Sequence, residues 1–234
     1  MDKKELFFAY TIAHELKSPI ITIDGFLKAL LEDYGKEIPE GALEYLKYIE
    51  DAVKRLKAII NDMLTLSQIC DEDEAEKFSL KELIKDVILK MKPSIQQRNI
   101  KIEILDSFPI LYANKKLIYL LMLNLISNAI KYIGSRNPDP CIQIGTKLIN
   151  GKQIIFVKDN GIGIPKDYHE KIFDIFQRTP EARKEAEGTG IGLFIAKTIV
   201  EKHKGKIWVE SNPAKGCTFF VYIPEKKERE NESA

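Results

Sequence analysis

The feature that most constrains this chain is an unbroken heptad pattern in its first thirty residues. Apolar side chains recur at alternating spacings of three and four residues, at positions 6, 9, 13, 16, 20, 23, 27 and 30. This spacing is typical of a helix that packs against other helices along a narrow apolar seam. A second run keeps nearly the same period, at Leu43, Leu46, Ile49, Val53, Leu56, Ile60, Met63 and Ser67.

The stretch between the two runs, residues 34–41, contains the glycine and proline residues that end one helix and begin the next. Residues 1–70 are therefore predicted to form a helical hairpin. Two helices alone leave much of an apolar stripe exposed, so we expect two hairpins to pair into a four-helix bundle. The expected assembly is a homodimer.

The rest of the chain has a different pattern. Five acids within residues 71–76 indicate a solvated connector over residues 71–77. The apolar periodicity beyond it predicts helices at about 80–97, 114–132 and 191–203, and strands at 100–104, 142–148, 154–157, 207–210 and 218–223. This mixture predicts an α/β sandwich over residues 78–224, a mixed sheet covered by helices on one face. Residues 225–234 are predicted to be a disordered tail.

Composition excludes several classes of protein. The chain has 36 Lys and Arg against 35 Asp and Glu, so it has no overall field for nucleic acid or an anionic membrane. Its three cysteines form no C-x-x-C pair, which argues against a disulfide framework and suits a reducing cytosol. The apolar stretch at 117–130 is too short and polar for a membrane span of about 20 residues. We expect a cytoplasmic chain without membrane insertion or a nucleic-acid partner.

One histidine stands out in the first heptad run. Pro19 lies within that run and has no N–H for the carbonyl of Glu15, so a helix kink is expected there. His14 follows the seam position Ala13 and should point away from the seam. A neutral imidazole is a usable nucleophile or base, and Glu15 could accept its ring N–H. An exposed histidine without a function is the alternative, which His14 alone leaves open.

Two glycine clusters, residues 159–165 and 187–193, flank a loop of about two dozen residues. Glycine lets the backbone approach phosphate oxygens, and a helix that starts at the second cluster offers unpaired N–H groups. Each cluster alone is also typical of an ordinary turn. Neither matches the dinucleotide-binding fingerprint or the P-loop.

A third polar element lies on the helix after Asn114. Asn124, Asn128, Lys131 and Tyr132 are spaced so that they share one helix face. Two amides and an ammonium group could hold a magnesium ion and phosphates. The alternative is an ordinary polar stripe on a half-buried helix.

Taken in order, these segments resemble the sensor histidine kinases of two-component signalling. The matching segments are HELKSP at 14–19, NLISNAIKY at 124–132, DNGIGI at 159–164, IFDIFQR at 172–178 and GTGIGL at 188–193. The resemblance covers residues 5–224 and is closest to kinase modules attached to PAS, GAF or phytochrome sensors. It implies a phosphoacceptor and dimerisation domain followed by a GHKL-type ATP-binding domain, with no sensor domain in this chain.

The resemblance also implies a reaction. His14 would take the γ-phosphoryl group of ATP and pass it to an aspartate of a response regulator receiver domain. Glu15 would accept the other ring proton, and Arg178 would stabilise charge on the transferring phosphoryl group. Ser18 stands where members with strong phosphatase activity often have Thr or Asn, which leaves dephosphorylation of the regulator open.

The cofactors implied are ATP and Mg²⁺. Asn128 would be the magnesium ligand with Asn124 assisting it, Lys131 would lie near the phosphates, and Asp159 would accept a hydrogen bond from the adenine amino group. The other implied nucleotide-binding residues are Tyr132, Gly161, Gly163, Phe176, Gly188, Thr189, Gly190, Gly192 and Leu193.

Two other classes remain as alternatives. ATPases of the wider superfamily share the glycine and asparagine segments, but they use a glutamate where this chain has Asn124, which disfavours hydrolysis. A non-catalytic dimerisation and docking module is the second alternative, and the complete set of ATP-binding segments argues against it. Cys217, where Ser or Thr is common, is interpreted as a small buried residue.

Overall fold

The computed structural model describes residues 3–69, 75–105 and 108–224. The chain divides into two compact units, Met1–Asp71 and Glu72–Ala234. The predicted tail at 225–234 and most of the predicted acidic connector lie outside the described residues. Among the described helices, none has the length and apolar character needed to cross a membrane.

The first unit is the predicted helical hairpin. Helix α1 (Lys3–Tyr34) continues through Pro19, so the proline does not end it. Helix α2 (Glu40–Gln68) begins directly after Pro39, whose carbonyl accepts hydrogen bonds from the N–H groups of Ala42 and Leu43. Proline suits this position because it lacks the N–H that a helix start leaves unpaired.

Only part of the heptad seam is buried within one hairpin. Ala13, Ile20 and Leu27, which are seven residues apart, are at most 7% exposed, and Ala13 and Ile20 form a core cluster with Val53 and Ile60 of α2. The alternate seam positions stay 40–49% exposed, at Leu16, Ile23, Leu30, Ile49 and Leu56. One hairpin therefore buries one edge of the predicted seam and leaves the other apolar edge exposed to solvent.

A charged cluster joins the two helices beside this core. Asp24 of α1 is buried, and its Oδ2 lies 2.5 Å from Lys57 Nζ of α2 and 3.1 Å from Lys28 Nζ of α1. Hydrogen bonds from Lys57 and then Lys28 hold the pKa of the Asp24 carboxyl below its usual range. Because Asp24 is shared between helices, this cluster links α1 to α2 at one register.

The second unit begins with a short ladder. Strand β1 (Glu76–Ser79) pairs antiparallel with β3 (Ile110–Ala113), and helix α3 (Leu80–Gln97) follows β1. Glu76 and Lys77 thus belong to a strand, whereas the sequence assigned them to the connector. A charged edge strand is tolerated here because only Phe78 of β1 is buried. Strand β3 was not predicted either, because its four residues are too few to show a periodic pattern.

Side chains cap two helices of this unit. Ser79 Oγ accepts a hydrogen bond from the Glu82 N–H (3.3 Å) at the start of α3. Asn114 Oδ1 accepts one from the Leu117 N–H (3.0 Å) at the start of α4 (Lys115–Lys131). Each side-chain oxygen satisfies an N–H that has no partner within its helix.

Five strands form the main sheet: β2 (Lys101–Ile104), β4 (Cys141–Ile149), β5 (Lys152–Asp159), β6 (Lys206–Ser211) and β7 (Cys217–Tyr222). Their order is β2-β4-β5-β7-β6, parallel between β2 and β4 and antiparallel elsewhere. Helix α4 contacts β5, and helix α6 (Gly192–Lys202) contacts α4 and β6. The α/β fold class is confirmed. Short helix α5 (Pro180–Glu185) was not predicted.

The core lies between α4, α6 and one face of this sheet. Its members are exposed by 1% or less and include Ile118, Leu121, Leu125, Ile142, Val157, Ile199 and Val221. Strand residues of opposite parity form the other face, where the rings of Trp208 and Phe220 stack with centroids 5.2 Å apart. Helices α4 and α6 therefore cover one face of the sheet. The polar segments described below lie on this same side.

We predict that Asp24→Asn lowers the midpoint of thermal unfolding at neutral pH, because it leaves Lys57 without its buried carboxylate partner. A carboxyl whose pKa is depressed by folding stabilises the folded state above its unfolded pKa of about 3.9, and that contribution is lost as pH falls further. The unfolding midpoint of the variant should therefore also fall less than that of wild type between neutral pH and pH 3. Circular dichroism of the whole chain between neutral pH and pH 3 measures both effects.

The matched control is Glu50→Gln, which removes an ion pair made within α2 alone, to Lys54 at 2.9 Å. Such exposed pairs contribute little. Equal midpoints and equal acid profiles for wild type and Asp24→Asn would contradict a linking role for Asp24.

Candidate active site

The polar face of α4 is covered by the second glycine segment. A side chain at Gly192 would place its Cβ 2.7 Å from Asn124 Oδ1, and one at Gly188 would lie 3.3 Å from Lys131 Nζ and 3.5 Å from Tyr132 Oη. The carboxamide of Asn124 is oriented by its Nδ2, which donates to the Leu120 carbonyl at 2.9 Å. A larger residue at position 192 would displace the Asn124 carboxamide, whereas at Gly188 the flexible Lys131 side chain could move aside.

The first glycine segment meets the end of the same helix. The N–H of Ile162 donates to the Tyr132 carbonyl (3.0 Å), and a Cβ at Gly161 would collide with that carbonyl oxygen. Gly163, in the left-handed region, lies against the backbone of Asn212. Both glycine segments and the polar face of α4 are thus brought together.

Asp159 is the buried charge of this region, with 3% of its surface exposed. Its Oδ1 accepts hydrogen bonds from the N–H groups of Gly161 (2.8 Å) and Cys217 (3.3 Å), and its Oδ2 accepts one from the Cys217 thiol (2.8 Å). The pairing of Asp159 with Cys217 across β5 and β7 places the thiol there. A carboxylate fixed by three donors keeps free lone pairs for a ligand N–H.

The titration of this pair follows from burial. Burial raises the pKa of the Asp159 carboxyl, and the hydrogen bonds from Cys217 and Gly161 oppose that rise. Burial, and then the neighbouring Asp159 charge, raises the pKa of the Cys217 thiol well above its usual value. Cys217 therefore stays a neutral thiol that donates to Asp159. Sequence reasoning missed this contact and interpreted Cys217 as a packing residue. The only available signal was a cysteine where a hydroxyl residue is common.

The aromatic segment joins the second glycine segment through backbone contacts. Phe176 has a φ of 64°, which is uncommon for a residue with a side chain, and its N–H donates to the Gly190 carbonyl at 3.0 Å. Gly190 has a φ of 77°, and a Cβ there would lie 2.8 Å from the carbonyl carbon of Phe176. The Phe176 side chain remains 46% exposed. Such outliers cluster at functional sites.

Arg178 contacts backbone carbonyls. Its guanidinium donates hydrogen bonds to the carbonyls of Gly188 (3.0 Å), Ala182 (2.6 Å) and Ala186. These hydrogen bonds brace α5 and the residues after it. Its buried Nε has no hydrogen-bond partner among the described residues. The side chain is thus held near Gly188, and one of its donors is not satisfied by the protein.

The start of α6 offers further donors. No side chain caps this helix, while Thr189 Oγ1 accepts a hydrogen bond from the Ile191 N–H (3.2 Å) just before it. Leu193 follows Gly192 in the first turn, where backbone N–H groups have no partner within the helix. A helix of eleven residues that begins this way is suited to an anion such as a phosphate.

No group of three or more His, Cys, Asp or Glu side chains that could hold a metal ion occurs in the part of the chain that the structure describes. A divalent cation at this site would therefore depend on amide oxygens, the oxygens of a bound phosphate and water. Asn128 is half-buried on the covered face of α4 and provides such an amide. This donor set fits Mg²⁺, which prefers oxygen ligands and keeps several waters.

His14 lies in the hairpin unit, one residue after the fully buried Ala13. Its side chain is 66% exposed, as the seam predicted, and its Nδ1 lies 4.0 Å from Glu15 Oε1. That distance is too long for a hydrogen bond, so the predicted orientation of the ring by Glu15 requires a rotation of the side chains. Ser18 is exposed one helical turn further along the same face.

Two family models match the chain. The model described as "His Kinase A (phospho-acceptor) domain" matches residues 4–72. The model described as "Histidine kinase-, DNA gyrase B-, and HSP90-like ATPase" matches residues 113–227. The two matched regions contain all five sequence segments.

Individual proteins are similar over nearly the whole chain. The methanogenesis regulatory histidine kinase FilI of Methanothrix harundinacea is 33% identical over 93% of this chain and 24% of its own length. The phytochrome-like protein Cph1 of Synechocystis is also 33% identical, over 93% of this chain and 29% of its own length. This chain thus spans about a quarter to a third of the length of these relatives.

A solved structure agrees with the fold. The histidine kinase ThkA, in complex with the response regulator protein TrrA, has a TM-score of 0.63 and 29% identity, covering 94% of this chain and 61% of its own. The helical hairpin, the mixed sheet, the converging glycine and asparagine segments and these similarities agree with one another. The chain belongs to the sensor histidine kinases of two-component signalling.

Proposed function

We propose that this chain is an ATP-dependent protein-histidine kinase that phosphorylates itself on His14 and passes the phosphoryl group to an aspartate of a response regulator. The observation that carries the proposal is the buried Asp159 carboxylate, fixed by Gly161 and Cys217 beside a polar helix face that glycines cover. The same chain exposes His14 on a helical hairpin.

ATP fits the residues that meet at this site. Asp159 accepts a hydrogen bond from the adenine amino group, and Tyr132 and Gly161 form the adjacent wall. The uncapped start of α6, with Gly190, Gly192 and Leu193, receives the phosphates. Lys131, next to Gly188, balances their charge, and Thr189 follows Gly188 along the chain.

Asn128, Asn124 and Arg178 act at the phosphate end. Asn128, assisted by Asn124, would hold Mg²⁺, and the bound ion would supply positive charge against the triphosphate. Arg178 stabilises the transferring phosphoryl group. Its unsatisfied Nε–H supports this role, because a buried unpaired donor costs about 1–3 kcal/mol and a phosphate oxygen would satisfy it.

The reaction at the hairpin is a single displacement. A ring nitrogen of neutral His14 forms a bond to the γ-phosphorus while the bond from that phosphorus to the bridging oxygen breaks, and ADP leaves. The proton on the other ring nitrogen passes to Glu15. Ser18, exposed on the same face of α1, contacts the regulator that docks at His14 and influences its dephosphorylation.

The partners follow from the exposed surfaces. The apolar edge of the hairpin at Leu16, Ile23 and Leu30 is covered by a second copy, which forms a homodimeric four-helix bundle. The complex of the related ThkA with a response regulator supports a receiver domain as the second partner.

We predict that ATP labels the protein on His14, and that the label is lost in acid and kept in base, because the phosphorus–nitrogen bond hydrolyses when the ring is protonated. His14→Gln should abolish labelling and leave ATP affinity nearly unchanged. Labelling with γ-labelled ATP and an equilibrium binding assay measure these two properties.

The same assay addresses the ATPase alternative. Phosphate release should be negligible in wild type compared with His14 labelling, because Asn124 cannot act as a general base. Two results would contradict the kinase mechanism. One is labelling of His14→Gln at the wild-type level, and the other is fast phosphate release that this substitution leaves unchanged.

The metal site gives a second prediction. Asn128→Ala should reduce magnesium-dependent ATP binding by roughly 10-fold or more, because it removes a ligand oxygen, and should leave the dimer intact. Ser127→Ala, next to it on α4, is the control. Titration with ATP at several magnesium concentrations, together with light scattering, tests both parts. Equal magnesium dependence in the two variants would remove Asn128 from the metal site.

The third prediction concerns Asp159. ATP affinity should fall as pH drops through the raised pKa of Asp159, since the protonated carboxyl accepts hydrogen bonds less well. Cys217→Ala removes a donor that lowers this pKa, so the acid midpoint should move to higher pH and affinity at pH 7 should fall about fivefold. Cys217→Ser keeps a donor and should restore both. Identical pH profiles for Cys217→Ala and wild type would contradict this role.

A further inference from the structure

Residues 178–188, which we call the lid, form a braced segment beside the polar face of α4. Thr179 caps α5 by accepting a hydrogen bond from the Ala182 N–H (3.1 Å). Arg178 donates to the carbonyls of Ala182, Ala186 and Gly188, so both ends of the lid are joined through one guanidinium. The last lid residue, Gly188, lies next to Lys131 and Tyr132. The lid therefore moves as a unit, and its position over this edge depends on contacts outside it.

One such contact is made by Glu185 at the end of α5. Its Oε1 accepts a hydrogen bond from the backbone N–H of Ser135 at 2.7 Å, across a separation of fifty residues. A carboxylate that accepts from an N–H forms a charge-assisted hydrogen bond, which is shorter and stronger than a neutral one. Glu185 is half-buried, whereas the flanking acids Glu181 and Glu187 are exposed.

Ser135 lies in a turn that is itself anchored. In the turn 134–137, Gly134 has a φ of 92° and its carbonyl accepts a hydrogen bond from the Asn137 N–H (3.2 Å). Asn137 Nδ2 donates to the carbonyls of Ile133 and Asn160, each at 3.0 Å. Asn160 directly follows Asp159. The turn is thus held in place by hydrogen bonds to the end of α4 and to the residue after the buried carboxylate.

We propose that Glu185 is a lid-positioning residue whose hydrogen bond to the Ser135 N–H holds the lid against the Lys131–Tyr132 edge of the nucleotide site. This inference rests on the proposed function, because it assigns the lid to a site that binds ATP. Glu185 contacts a backbone group of the turn and takes no part in the chemical step.

The consequence is kinetic. Release of nucleotide requires the lid to swing away from this edge, and the contact to Ser135 must break first. Loss of the contact should therefore raise the dissociation rate of nucleotide and the KM for ATP. The rate of His14 labelling at saturating ATP should change little, because a closed lid makes the same contacts with the phosphates with or without the Glu185 side chain.

The lid also has a built-in structural readout. Arg183 and Lys184 are exposed on α5, and trypsin cleaves after both residue types. A protease needs a locally unfolded segment, so cleavage here reports how often α5 both leaves its place and unfolds. Trypsin cleavage reports the state of the lid whether or not the protein binds nucleotide.

The experiment compares four full-length proteins: wild type, Glu185→Ala, Glu185→Gln and the control Glu181→Ala on the exposed side of α5. Dissociation of a fluorescent ATP analogue with Mg²⁺ is followed by stopped flow after a chase with ATP, and trypsin cleavage after Arg183 or Lys184 is followed by mass spectrometry. Glu185→Ala should accelerate both by about three- to tenfold, the value of one partly exposed charged hydrogen bond. Glu185→Gln, which keeps an acceptor oxygen, should recover part of the loss.

Two results would overturn the inference. Equal dissociation and cleavage rates in Glu185→Ala and Glu181→Ala, with ATP still bound, would show that Glu185 does not position the lid, and would leave the kinase proposal standing. Failure of wild type to bind the analogue at all would instead overturn the proposed function, and with it the nucleotide part of this inference.

Discussion

The arrangement of the second unit depends on a single buried carboxylate. Asp159 can remain in the core only because the Gly161 and Cys217 N–H groups and the Cys217 thiol donate to it. These donors come from the turn after β5 and from the neighbouring strand β7, so satisfying the carboxylate also sets the first glycine segment against the end of α4. The donors that offset the burial of this charge thereby also fix the geometry of the candidate site.

The hairpin unit presents the complementary case, in which a requirement is left unsatisfied. Ala13 and Ile20 of α1 are buried against Val53 and Ile60 of α2, while Leu16 and the other alternate seam residues remain in solvent. A seam with apolar residues on both edges needs more than two helices. The exposed edge and the exposed His14 thus lie on one helix.

Local patterns were predicted well because their causes are local. The heptad spacing of the hairpin and the shared face of Asn124, Asn128 and Lys131 each arise from residues a few positions apart. Short elements such as β1, β3 and α5 were missed. Their four to six residues contain too little periodicity, and β1 and β3 exist because each pairs with the other.

The sequence by itself determined the family, the two-unit organisation, the exposed side chain of His14 and the face that Asn124, Asn128 and Lys131 share. Those properties follow from periodicity and motif order along the chain. Only the tertiary structure decided that Cys217 donates to Asp159, that Arg178 braces the lid and that Glu185 meets Ser135. The last of these contacts joins residues fifty positions apart and the first joins residues in paired strands. Strand register and loop placement create them, and neither is encoded in any local stretch of sequence.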